Sequence, residues 1–259
     1  TVNHCKTVQS LILMSLTSLV LSPAAAETLS LVSGNDYPPF SGTDLTRGGV
    51  LTELVQQAFS ASGIATSVDF KPWTRGYEES LRLEYDATYP YLGTPRRAAS
   101  FLYSDPLYQL NLRLYVRHDS AWQTGSQAEL EDATFCVPSG YEVSGWVRRE
   151  SDHLNFARPR SMQQCHAMLQ LGRVDVLISN PDEMAWQAAP SRQMPRNVRQ
   201  LPEPVDDVTL HLIIPRDHPQ ARQLIDSFNS GLQQLTRSGA RGQLFQKHPD
   251  YRRSLGPGD

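Results

Sequence analysis

A chain of 259 residues, 39% hydrophobic and 20% charged, has ordinary globular composition and length enough for one large domain or two modest lobes. Its net charge of −3 excludes an electrostatic case for binding nucleic acid, which requires a basic face.

The N-terminal segment has a short polar start containing Lys6, an apolar run Leu11–Leu21, and then Ser22-Pro23-Ala24-Ala25-Ala26. This pattern predicts a secretory signal peptide over residues 1–26, cleaved after Ala26, and places the mature chain in the periplasm. The apolar run is shorter than the roughly 20 residues that span a bilayer. Cleavage leaves two cysteines, Cys136 and Cys165. An even count in an exported chain predicts a disulfide, with two buried free thiols as the alternative.

Along the mature chain, Thr28–Val32 reads as a strand and Gly34–Gly49 as a turn-rich loop holding Tyr37-Pro38-Pro39-Phe40. Val50, Leu51, Leu54, Val55, Ala58 and Phe59 recur at helical spacing before a capping Gly63. Thr66–Phe70 alternates as a strand, Pro72 breaks it, and Thr74–Leu83 reads as a helix. A short strand Asp86–Tyr89 is expected to end at Pro90, and Thr94-Pro95 marks a helix start, with Thr as N-cap and Pro in the first turn. Leu110–Val116 is a further strand. This alternation predicts an α/β lobe with a mainly parallel sheet.

The second part repeats the alternation. Ala133–Val137 reads as a strand, Ser139-Gly140 as a turn, and Val143–Glu150 as a helix. Ser161 with Gln164 forms a capping box, and Met162, Cys165, Met168 and Leu169 form the apolar face that follows, ending at Gly172. Cys165 therefore faces the core, within reach of the strand that carries Cys136. Val174–Ile178 is a buried strand stopped by Asn180-Pro181. Val208–Ile214 is another strand, and Ala221–Leu235 is an amphipathic helix.

Five pieces occur in a telling order: Tyr37-Pro38-Pro39-Phe40, Asp86-Ala87, Thr94-Pro95-Arg96-Arg97, Tyr103-Ser104-Asp105-Pro106-Leu107-Tyr108 and Gly172-Arg173-Val174-Asp175. With them, essentially the whole mature chain resembles bacterial solute-binding protein family 3, the periplasmic amino-acid-binding components of ABC transporters. The resemblance implies a type II periplasmic-binding-protein fold of two α/β lobes, each a mainly parallel sheet flanked by helices. Lobe one would be residues 27–106 plus 208–259, and lobe two residues 107–207. It further implies a monomer that closes on a small polar ligand and docks on a membrane permease, with no catalysis, cofactor or metal.

The resemblance makes Arg97 the clamp for a ligand carboxylate, beside Thr94 at the helix cap; a guanidinium there is a bidentate partner for a carboxylate. Arg96 would point outward. Tyr37 matches an aromatic that packs on the ligand, while Phe40 would plug the core beneath. Trp73, Arg75, Tyr89 and Tyr91 fall at strand ends or helix starts near the cleft, where aromatic faces hold cations or rings. In lobe two the family's Gly-Thr-like helix start reads Ser139-Gly140-Tyr141-Glu142; there Glu142 would face a cation or favour the helix N-terminus. Where many members carry an Asp for the ligand's ammonium, this chain has Asn180, with Asp182 or Glu183 as substitutes if the loop shifts. Leu92 replaces a small hydroxyl residue before the arginine. Two other functions compete: a dehydratase of cyclic acids using Glu142 as general acid, and a sensing module with a separate signalling partner.

Overall fold

The computed structural model describes residues 28–188 and 197–255. The proposed signal segment 1–26 lies outside the described residues.

Nine strands and nine helices make up the described chain: β1 (Leu29–Gly34), α1 (Val50–Ala61), β2 (Thr66–Lys71), α2 (Trp73–Leu81), β3 (Ala87–Leu92), α3 (Pro95–Ser100), β4 (Phe101–Tyr103), β5 (Tyr108–Arg117), β6 (Thr134–Cys136), α4 (Gly145–Arg149), β7 (Asn155–Ala157), α5 (Met162–Gln170), β8 (Val176–Ser179), α6 (Pro181–Ala188), β9 (Val198–Pro215), α7 (Ala221–Arg237), α8 (Ala240–Lys247) and α9 (Pro249–Ser254). The strands join in the order β2-β1-β3-β9-β5-β8-β6-β7, with β4 also on β9. Two wings result. In the first, β1 pairs in parallel with β2 and β3; in the second, β6 pairs in parallel with β7 and β8. Every antiparallel pair involves β5 or β9, the two strands that run between the wings.

β9 is 18 residues long, where the sequence predicts a strand only from Val208. Its first part pairs with β5, and the pairing shifts register around Arg113, opposite Pro204. Proline has no N–H for the ladder and is accommodated at such irregularities. The same physics carries β3 past its expected end. The strand continues through Pro90 to Leu92, and its register on β9 shifts between Thr88 and Tyr91.

α1 forms where expected, and all six of its periodic apolar residues are fully buried. Its partner is α7, with Phe59 and Phe228 ring centroids 4.9 Å apart. The helices meet so closely that a Cβ on Gly231 would lie 1.9 Å from the Ala58 carbonyl oxygen. In the second wing Cys136 and Cys165 are disulfide-bonded, with Cα atoms 5.5 Å apart, tying β6 to α5. Ser161 accepts from the Gln164 amide at 3.3 Å, but the Gln164 side chain accepts from the Arg160 amide rather than that of Ser161. Among the described residues no helix is long and apolar enough to cross a membrane.

Candidate functional site

In a parallel sheet, loops leaving the carboxyl ends of strands converge on one edge, where ligands of α/β proteins bind. Here those loops come from both wings. β1 leads to Asp36 and Tyr37, β2 to Trp73, and β3 ends in Tyr91 and Leu92 and leads to α3 with Arg97. β6 leads to Gly140, Tyr141 and Glu142, and β8 to Asn180 and α6. Between them is a cavity of about 60 Å³. Tyr37, Trp73, Tyr91, Arg97, Gly140, Tyr141, Glu142 and Asn180, all singled out from sequence, line it.

Arg97 is 4% exposed. Thr94 caps α3 by accepting the Arg97 amide at 3.2 Å, which fixes the backbone from which the side chain enters the cavity. The guanidinium lies 4.7 Å from the Tyr91 ring centroid. Nη1 donates to the Leu92 carbonyl and Nη2 to the Gly140 carbonyl, each at 3.3 Å, and Nε is buried without a hydrogen-bond partner. Leu92 thus contributes its backbone where a small hydroxyl was expected. Arg96 is exposed and donates to Glu142 at 2.8 Å.

Four aromatic rings share the remaining wall with aliphatic side chains, among them Leu110, Leu112, Val137, Ile178 and Leu210. Tyr37, Trp73 and Tyr141 meet edge to face, with centroids 5.5–5.9 Å apart, and Trp73 meets Tyr91 at 5.6 Å. Such pairs add to the burial of the rings themselves. Trp73 is oriented by donating from Nε1 to Asp36 at 3.0 Å. Phe40 sits fully buried beneath, 5.1 Å from Tyr37.

Three of the expected site residues are not in the lining. Arg75 points outward: its side chain is 67% exposed and pairs with Glu79 one helical turn on. Tyr89 is fully buried, with its hydroxyl toward Thr52 of α1. Regular alternation would put Tyr89 and Tyr91 on one face, and the irregularity at Pro90 separates them. Thr94 acts from behind, as the cap. The second wing also departs from expectation. No helix begins at Gly140–Glu142; a turn and irregular backbone lead to α4 at Gly145, so Glu142 faces Arg96 and Arg97 rather than a helix N-terminus.

Asn180 caps α6 by accepting the Glu183 amide at 3.1 Å, and its amide donates to the Tyr37 hydroxyl at 3.5 Å. Asp182 turns away and accepts from Tyr108 at 3.0 Å. Glu183 enters the lining. It is fully buried, Oε2 accepts from Ser179 at 2.6 Å, and Oε1 has no hydrogen-bond partner. Burial, reinforced by the charge of Asp36 and opposed by the Ser179 bond, pushes its carboxyl up to about 8. Asn180-Pro181-Asp182-Glu183, with N-cap, Pro at the first helical position and acids in the first turn, is a helix start as well as the strand stop expected from sequence.

A sequence model of the bacterial extracellular solute-binding proteins, family 3, matches residues 29–250. No curated protein matches the chain. Among solved structures, the GluR0 ligand-binding core from Nostoc punctiforme in complex with L-glutamate is 17% identical, with a TM-score of 0.71 over 86% of this chain and 99% of that one. The amino acid ABC transporter substrate-binding protein AbpA from Streptococcus pneumoniae, bound to L-arginine, is 15% identical, with a TM-score of 0.72 over 88% and 96%. The ancestral amino-acid-binding protein AncCDT-1, a precursor of cyclohexadienyl dehydratase, is 19% identical, with a TM-score of 0.70 over 85% and 94%. At these identities the likeness is one of fold.

Proposed function

We propose that this chain, which belongs to the bacterial extracellular solute-binding proteins of family 3, captures a small polar, carboxylate-bearing solute between its two wings for uptake by an ABC transporter. The solute is an amino acid or a related compound, the place is the periplasm, and the partner is the membrane permease. The wings act as lobes, residues 27–106 plus 208–259 against 107–207, hinged on β5 and β9.

The observation that carries this reading is Arg97, nearly buried yet inside a cavity built from both wings. A guanidinium held there by a capped helix turn and an aromatic face is a preorganised partner for a carboxylate. The contacts of Arg97 with Gly140, of Asn180 with Tyr37 and of Trp73 with Tyr141 all join one wing to the other, as closure over a solute requires. A thermal-shift screen of amino acids, polyamines and small organic acids tests it. Saturable stabilisation by one class, with the compound recovered unchanged, supports capture; stabilisation by none contradicts it.

The likeness to a dehydratase precursor gives an enzymatic reading one specific test. A general acid at Glu142 needs a proton to give. Burial raises that carboxyl, but the Arg96 hydrogen bond and the charges of Arg97, Arg96 and Arg148 outweigh it and hold the group below the usual range. Glu142 is therefore an anion near neutral pH, which favours binding over catalysis. Turnover of a cyclohexadienyl acid by the pure protein would reverse that preference.

A further inference from the structure

Tyr141 is the largest side chain that the second wing puts into the cavity, and it meets the first wing ring against ring. Tyr37 and Trp73 stand at 81° with centroids 5.9 Å apart, and so form a corner. The Tyr141 ring is set into that corner, 5.5 Å from Tyr37 at 79° and 5.7 Å from Trp73 at 87°. Each separation is that of rings in direct contact, which leaves no space between them for a further group. Asp36 anchors two of the three: its carbonyl accepts from the Tyr141 hydroxyl at 3.4 Å and its carboxylate from the Trp73 indole at 3.0 Å. A tight turn carries Tyr141 into place. Its amide donates to the Pro138 carbonyl at 3.1 Å, Gly140 takes the positive φ of 86°, and the Tyr141 carbonyl accepts from Arg158 at 3.0 Å.

What the rings leave is small. The cavity measures about 60 Å³, whereas a protein cavity of about 150 Å³ takes benzene. A solute of more than about six non-hydrogen atoms therefore needs a wall to give way. Tyr37, Trp73 and Arg97 are buried in the first wing, while Tyr141 is only half-buried. We infer that Tyr141 sets the upper size of the solute: its ring fills the corner between Tyr37 and Trp73 that a longer solute chain would enter, so the site takes short carboxylates of glycine or alanine size and rejects long ones. The inference rests on the reading of the cavity as a solute site. Leu112, Ile178 and Leu210, elsewhere in the wall, suit a small apolar substituent beside the carboxylate.

The test is titration calorimetry on the whole mature chain with a size series: acetate, glycine, propionate and L-alanine as short solutes, and L-glutamine, L-arginine and L-phenylalanine as long ones. The wild type should bind its best short solute about tenfold or more tightly than any long one. Tyr141→Ala opens the corner and should raise the affinity for at least one long solute about tenfold relative to the best short one. Tyr141→Leu, which removes less packing, should shift the ratio in the same direction and serves if the alanine variant does not fold. Tyr141→Phe keeps the ring and should keep the wild-type order, which separates ring volume from the bond to Asp36. Long solutes bound by the smaller variants alone also support the inference. A wild type that prefers a long solute, or smaller variants with an unchanged ratio, overturns it and leaves solute capture standing. If no member of the series binds the wild type or any variant, the solute site itself is refuted, and the role of Tyr141 with it.

Discussion

Arg97 donates from Nη2 to the Gly140 carbonyl at 3.3 Å, and this bond connects the helix start of one wing to a turn of the other. Closure thus runs through the residue proposed to hold the solute. Gly140 itself adopts φ 86° and abuts the opposite wing, where a Cβ would lie 2.8 Å from Cβ of Trp73.

Gly140→Ala should therefore prop the wings apart. It places a methyl against a rigid indole stem and forces an L residue into a region it enters at a cost. The expected outcome is a loss of solute affinity of about tenfold or more, with a solution radius of gyration that no longer shrinks when solute is added. Small-angle scattering with and without solute checks it; a compacting variant with unchanged affinity contradicts the contact.

Glu183 gives stability a pH dependence of definite sign. Its folded carboxyl, at about 8, lies above its ordinary value of 4.5. The folded chain then holds a proton that the unfolded chain releases, so stability is greatest below about 4.5 and falls as pH rises toward 8. Glu183→Gln should flatten this slope and, near pH 8, stabilise the solute-free protein by several kcal/mol, on the order of 3–5. Urea unfolding of both proteins between pH 4.5 and 9 measures it. Parallel curves would show that the carboxyl is ionised in the folded chain.

The Cys136–Cys165 bridge closes a loop of 29 residues, for which chain entropy gives about 3–4 kcal/mol. A double Cys→Ser variant should lose about that much on denaturation. Both sulfurs lie in a small cluster with Met162, Leu169 and Leu177, and of these residues only Met162 lines the cavity. Solute affinity should therefore change far less than stability, and a tenfold affinity loss would contradict this separation.

Local signals made α1 and α3 readable: six apolar residues at helical spacing in one, Thr94-Pro95 in the other. The cavity lining was legible where residues sit at strand ends, as with Tyr37, Trp73 and Tyr91. What was lost depended on non-local geometry. The first half of β9 carries Pro202, Glu203 and Pro204 and survives as a strand because β5 pairs with it around a bulge. The helix expected over Val143–Glu150 forms from Gly145, but the helix start that the resemblance implies at Gly140–Glu142 does not; Gly140 and Gly145 both take positive φ. Arg75 sits near a strand end in sequence, but the helical phase of α2 turns it outward to pair with Glu79. The sequence offers Glu183 only as a substitute under a loop shift; its place in the lining needs no shift, only the helix that Asn180 caps.

The most direct measurement compares wild type and Arg97→Ala by thermal shift in the presence of the best solute from the screen. Removing bonds to two carbonyls should cost the solute-free fold about 1–3 kcal/mol, which leaves a folded protein to test. At a hundredfold excess over Kd the wild type should gain about 2.7 kcal/mol, roughly 5–11 °C. The account predicts that the variant, at the same solute concentration, keeps almost none of that gain. An Arg97→Ala protein that melts with the full wild-type shift would show that the solute is held elsewhere.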